Sequence, residues 1–134
     1  MKVSRIVETC LYVDDLAVAK AFYERVLGLE TFAEVEGRHV FFRCGNAMLL
    51  LFNPEVTLNP ANGDLSPHGA RGPGHIAFEM TGEEVDAWRE HLGRCGVEVE
   101  DEVTWPSGGY SIYFRDPCGN SLEFVTLRTW GIPD

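Results

Sequence analysis

Three ionisable side chains, Glu8, His75 and Glu123, occupy positions from which they could do chemistry together. Each falls on a segment that alternates apolar and polar residues in strand fashion. Glu123 is the most conspicuous, a carboxylate in the middle of Ser121-Leu122-Glu123-Phe124-Val125. Such a group is costly to bury unless it has a cation, a hydrogen-bond donor or a proton. Brought together, the three would offer two carboxylate oxygens and one imidazole nitrogen. That set suits a divalent metal of hard-to-borderline character, such as Mn, Fe, Co, Ni or Zn, with positions left open for a substrate. Two acids also neutralise a dication, which lowers the cost of burying all of them. Taken singly, a strand Glu is most often exposed and a lone His is most often a satisfied surface or core residue. The case for a site therefore rests on the elements that position them.

Ile6 to Val13 reads as a strand, with Glu8, Cys10 and Tyr12 on one face and Thr9, Leu11 and Val13 on the other. Asp14 or Asp15 can cap a following helix, in which Leu16, Ala19, Phe22, Tyr23, Val26 and Leu27 recur at helical spacing and Gly28 supplies a stop. Leu29 to Val35, His39 to Cys44 and Ala47 to Phe52 read as strands, with Gly45-Asn46 as a hairpin turn. Asn53 to Pro73 holds four of the seven prolines and reads as a loop long enough to be functional, with His68-Gly69-Ala70-Arg71-Gly72 able to swing over a site.

The pattern then recurs. Gly74 to Met80 is a strand with His75, Ala77 and Glu79 on one face. A helix starting at Thr81 or Gly82 carries Val85, Trp88 and Leu92 and ends near Gly93 or Gly96. Val97 to Val103 alternates as a strand, and Ser111 to Phe114 with Leu122 to Thr126 form a closing hairpin around Asp116-Pro117-Cys118-Gly119-Asn120, a run rich in turn formers. The tail from Leu127 to Asp134, with Trp130 and Pro133, is expected to pack on a surface. Strand, helix and three strands thus occur twice, an internal repeat of about 70 residues. Val7-Glu8-Thr9 lines up with Gly74-His75-Ile76, and Gly45-Asn46-Ala47-Met48-Leu49 with Gly119-Asn120-Ser121-Leu122-Glu123, so Leu49 is the expected counterpart of Glu123. The expected organisation is one domain spanning 1–134: a first module over about 4–53, a linker over 54–73 and a second module over about 74–128. Two such modules would form one shared cleft.

The formal net charge of −10 disfavours nucleic acid and anionic membranes as partners. No apolar run approaches the ~20 residues of a membrane span, and the opening Met1-Lys2-Val3-Ser4-Arg5 lacks a signal-peptide pattern, so a cytoplasmic protein is expected. Cys10, Cys44, Cys95 and Cys118 form no Cys-x-x-Cys pair and read as reduced thiols.

The chain resembles the vicinal oxygen chelate superfamily, which includes glyoxalase I, bleomycin-resistance proteins, fosfomycin-resistance proteins, methylmalonyl-CoA epimerase and extradiol dioxygenases. The residues that carry the resemblance are Leu11-Tyr12-Val13-Asp14-Asp15-Leu16 with Phe22-Tyr23 and Leu27-Gly28, then Gly74-His75-Ile76-Ala77-Phe78, then Phe114-Arg115-Asp116-Pro117-Cys118-Gly119-Asn120-Ser121-Leu122-Glu123. The resemblance implies an α+β fold of two βαβββ modules, metal ligands at Glu8, His75 and Glu123, and a homodimer. Glu8 stands where His or Gln is usual, and Leu49 where glyoxalase I has a second Glu.

A glyoxalase-like lyase or isomerase is the leading expectation. A divalent metal would hold two adjacent oxygens of a small-molecule substrate and stabilise negative charge as it develops, while Glu123 or Glu8 removes a proton α to a carbonyl. Ser111 and Tyr113 share the ligand face and would hydrogen-bond the substrate; Tyr12, His39 and Phe41 would line the cleft. Arg115 would pair with a substrate carboxylate or with a neighbouring acid. The alternatives are a metal-free, bleomycin-resistance-type protein sequestering a cationic drug or metabolite, an extradiol dioxygenase with His68 or His39 as acid–base, and a fosfomycin-type thiol transferase.

Overall fold

The computed structural model describes residues 1–63 and 66–133. Asp64 and Leu65 of the expected loop and Asp134 of the tail lie outside the described residues. The chain divides into two compact units, Met1–Gly72 and Pro73–Asp134.

The first unit contains β1 (Glu8–Tyr12), α1 (Leu16–Leu27), β2 (Glu30–Val35), β3 (His39–Cys44), β4 (Ala47–Phe52) and the single helical turn α2 (Pro54–Thr57). Its sheet runs β1-β4-β3-β2, with β1 parallel to β4 and the other pairs antiparallel. The parallel pair needs a crossover, and α1 is part of it. Asp15 starts the helix by accepting from Val18 N–H at 3.1 Å, and Gly28 ends it at φ 63°. The buried stripe Ala19, Phe22, Tyr23 and Val26 has the spacing of a core-facing helix. Tyr23 stacks on Phe42 at 5.8 Å, over a sheet face that also buries Leu11, Val40, Leu49 and Leu51.

The second unit contains β5 (His75–Glu79), α3 (Val85–Arg94), β6 (Asp101–Thr104), β7 (Tyr110–Arg115) and β8 (Ser121–Val125), in the sheet order β5-β8-β7-β6. The parallel pair is now β5 with β8. Trp88 of α3 stacks on Phe124 at 4.3 Å, and Leu92, Ile112, Phe114 and Leu122 are buried. Each unit is therefore a βαβββ module with one sheet face under a helix, as the repeat requires.

Several expectations shift. The loop over 53–73 holds two helical turns, Pro54–Thr57 and Pro60–Asn62, because Asn53 and Asn59 each accept from a backbone N–H two residues on, at 3.1 and 3.0 Å. The strand expected over 97–103 is instead Asp101–Thr104, starting later and running one residue further. Gly93 lies inside α3, and Gly96, at φ 72°, follows its end. Trp130 is 75% exposed, so this residue does not anchor the tail.

The repeat register needs one correction. Glu8 pairs with Met48, and Cys10 with Leu50; His75 pairs with Ser121, and Ala77 with Glu123. The equivalent of Glu123 is therefore Leu50, not Leu49, which pairs with Thr9 and Phe42 on the helix-covered face. The cause is turn length. Two residues, Gly45-Asn46, join β3 to β4, whereas Asp116–Asn120 join β7 to β8. Matching the Gly-Asn pairs slips the alignment by one, and one residue reverses the face of every strand side chain.

Candidate functional site

In the second unit, strand alternation and register place His75, Glu123, Ser121, Ser111, Tyr113 and Arg115 on one sheet face. Glu123 and Ser111 are buried, 7% and 0% exposed. His75 Nε2 lies 3.2 Å from Glu123 Oε2. On the other side of the ring, Nδ1 lies 3.0 Å from the Ser121 carbonyl and 3.2 Å from its hydroxyl. A carbonyl accepts only, so Nδ1 carries the proton in that bond and the Nε2 lone pair is left facing the carboxylate. Two acceptors at that distance call for a proton or a cation between them. A backbone carbonyl that sets the tautomer of an imidazole is also the usual outer partner of a metal-ligating His.

The turn before β8 holds this pair in place. Asp116, 4% exposed, accepts through Oδ1 from the backbone N–H groups of Cys118 and Asn120 and through Oδ2 from the Asn120 amide, each at 2.9 Å. Asn120 Oδ1 in turn accepts from Gly74 N–H at 2.8 Å. Gly74 precedes His75 and Asn120 precedes Ser121. Together with Ser121 N–H, which donates to the Gly74 carbonyl at 2.9 Å, this bond ties the entry of β5 to that of β8 beside the His75–Glu123 pair. Asp116 and Asn120 were legible as turn formers, but their buried network was not.

Tyr113 lies opposite Glu123 in the β7–β8 register, and its ring lies 6.3 Å from that of His75. Burial, and then the negative charge of Glu123, push the Tyr113 phenol above its ordinary range, so it remains a neutral donor. Arg115 is engaged elsewhere. Its guanidinium takes both carboxylate oxygens of Glu100 at 2.8 and 3.1 Å and the Gly119 carbonyl at 3.0 Å. Of the two roles considered for it, the structure shows the ion pair with a neighbouring acid.

In the first unit, Glu8 is exposed at the start of β1. Tyr12, His39 and Phe41 share its sheet face with Phe52. The His39 and Phe41 rings stack at 4.0 Å and 10°, and Phe52 meets both edge-on. His68, expected on a swinging loop, is docked on this same sheet. Its Nδ1 is 2.7 Å from the Tyr12 hydroxyl, its ring meets Phe52 edge-on at 4.7 Å, and its backbone N–H donates to the Thr57 carbonyl. Arg71 pairs with Glu55 nearby in sequence.

The residues of the second unit thus fit two positions of a divalent-metal set. Among the described residues, no group of three His, Cys, Asp or Glu side chains stands together as a metal cradle. Of the three expected ligands the structure brings His75 and Glu123 together, and it describes Glu8 within the first unit.

The family model of the Glyoxalase/Bleomycin resistance protein/Dioxygenase superfamily matches residues 5–124. The chain belongs to this superfamily. A crystal structure of lactoylglutathione lyase from Agrobacterium tumefaciens is 45% identical, with a TM-score of 0.93 over 98% of this chain and 100% of that one. Metallothiol transferase FosB of Bacillus licheniformis is 31% identical over 115 residues, 85% of this chain and 70% of that protein. FosB of Lysinibacillus sphaericus is 32% identical over 127 residues, 94% of this chain and 84% of that protein. Membership agrees with the doubled βαβββ order and with the α+β fold read from the repeat. No helix among the described residues is long and apolar enough to cross a membrane.

Proposed function

We propose that this member of the superfamily is a glyoxalase-like, metal-dependent lyase or isomerase acting on a small substrate with two adjacent oxygens. The observation that carries the reading is the His75–Glu123 pair, in which a carbonyl-locked imidazole turns Nε2 toward a buried carboxylate. His75 and Glu123 would hold the ion, and Glu8 is the further ligand candidate. An imidazole and carboxylates suit Mn, Fe, Co, Ni or Zn. Such an ion supplies Lewis-acid polarisation of the substrate oxygens.

The protein's own groups have separable tasks. Ser121 fixes the tautomer and direction of His75. Glu123, shielded from water, is the base for a proton α to a carbonyl, with Glu8 as the alternative base. Tyr113, kept protonated, donates toward Glu123 until a bound substrate oxygen takes the place of that acceptor, and Ser111 supports it. The stacked His39 and Phe41 rings and Tyr12 offer flat apolar surface for the body of a substrate.

Protein purified without added metal is expected to hold a divalent ion stoichiometrically, and Glu123→Gln to lose it. Glu8→Gln tests the third ligand in the same assay. Lactoylglutathione formation is the first activity to measure, given the 45% identical lyase. The FosB similarity favours thiol transfer as the second reading, scored by fosfomycin consumption in the presence of a thiol. A protein that never binds metal, yet retains a cationic drug tightly, would establish the sequestering alternative.

A further inference from the structure

We propose that Trp105 is a positioning residue for Glu123, its indole N–H orienting a hydroxyl chain through Ser111 and Tyr113 toward that carboxylate. The inference rests on the reading of Glu123 as the central group of the site.

Trp105 Nε1 lies 2.7 Å from Ser111 Oγ, and Ser111 is completely buried. An indole N–H only donates, so the Ser111 oxygen accepts that bond and must place its own proton elsewhere. Its cross-strand neighbours on the sheet, Val103 and Val125, carry no side-chain acceptor. Tyr113, two residues on along the same strand face, carries the next hydroxyl, and it stands opposite Glu123 in the β7–β8 register. The direction of the chain follows from its first member: Trp105 to Ser111, Ser111 to Tyr113, Tyr113 to Glu123. With Trp105 replaced by a non-donor, the Ser111 hydroxyl is free to turn around and the Tyr113 proton loses its defined direction.

The loop is built to hold the indole there. Trp105 N–H donates to the Gly109 carbonyl at 2.9 Å, and Gly108 N–H returns a bond to the Trp105 carbonyl at 2.8 Å. Gly108 sits at φ 86°, and a Cβ at Gly109 would meet Thr129 backbone and side-chain atoms at 2.2–2.5 Å. Arg128 closes the turn by donating to the Ser107 carbonyl at 3.0 Å. Both glycines thus serve a loop whose one aromatic side chain reaches the buried serine.

The test uses the full chain labelled with 15N. The indole Nε1–H resonance, assigned with Trp105→Phe, is expected to move in Ser111→Ala and also in Glu123→Gln. In a Tyr113→Phe background the effect of Glu123→Gln on it is expected to vanish. Trp105→Phe, which keeps the ring bulk, is expected to weaken Mn²⁺ binding about 10-fold or more and to alter the visible absorption of the Co²⁺-loaded protein. Should Trp105→Phe not fold, Ser111→Ala serves for the metal measurements. An indole resonance indifferent to Glu123→Gln, or unchanged Mn²⁺ affinity and Co²⁺ spectrum, overturns the proposal and leaves Trp105 a mere partner for a buried hydroxyl. If the parent protein binds neither ion, it is the metal reading that fails; the indole resonance still decides the chain.

Discussion

His75 and Glu123 are arranged so that each explains the other. Nε2 of the imidazole faces Oε2 of the acid at 3.2 Å, while the far side of the ring is fastened to the Ser121 carbonyl. Removing the imidazole leaves a carboxylate that is 7% exposed without this partner. Histidine 75 changed to alanine is expected to lower the stability of metal-free protein by about 1–3 kcal/mol. Urea unfolding with chelator present measures it. Loss of metal with no loss of apo stability would show that the pair carries nothing until an ion arrives.

Asn120 bridges the two strand entries through Gly74 N–H and braces Asp116. Asn120→Ala is expected to destabilise the chain by about 2 kcal/mol, since it leaves a part-buried donor and a buried carboxylate under-satisfied. It should also weaken metal binding, although Asn120 is no ligand. Asn120→Asp, which keeps the acceptor for Gly74 but sets a second carboxylate against Asp116, should fare no better.

His68 fastens its loop to the first unit through Tyr12, Phe52 and Thr57. In His68→Ala the backbone N–H of residue 68 should exchange with solvent faster, while amides of the β3–β4 ladder keep their protection. Hydrogen exchange followed by mass spectrometry reads both. Equal protection in parent and variant would mean that the loop is held by its backbone and by Arg71–Glu55 alone.

Burial raises the Cys44 thiol above its usual value. The folded protein then holds the thiol proton at a pH where the unfolded chain has released it. Stability is therefore unaffected below the ordinary thiol range and falls as pH rises through and above it, from about pH 8.5. Cys44→Ala should flatten that part of the stability profile. Alkylation of Cys44 at pH 8 should be slower than that of a free thiol, because the thiolate is the nucleophile.

The repeated strand–helix–three-strand order, a helix start at Asp14 or Asp15 and its stop at Gly28, and the face shared by His75 and Glu123 were all legible in residue order; the structure chose Asp15 as the cap. Each follows from a local rule: period 2 in strands, period 3.6 in α1, and glycine where φ turns positive. Local rules failed where a turn changed length. Gly45-Asn46 and Gly119-Asn120 look alike, yet they end turns of different size, and the counterpart of Glu123 moved from Leu49 to Leu50. They failed again at Trp130, whose apolar ring suggested packing but stands exposed.

Sequence by itself determined the doubled module and the residue types able to hold a metal, because these are written in spacing, and its motifs carried the resemblance to the family. Tertiary structure alone decided that Asn120 ties Gly74 to Asp116, that Arg115 belongs to Glu100, that His68 lies on Tyr12, and that Trp105 reaches Ser111. Each of these is a side-chain bond between residues on different segments. Their direction is set by where strand entries and loops come to rest, and neighbours in the chain say nothing about that.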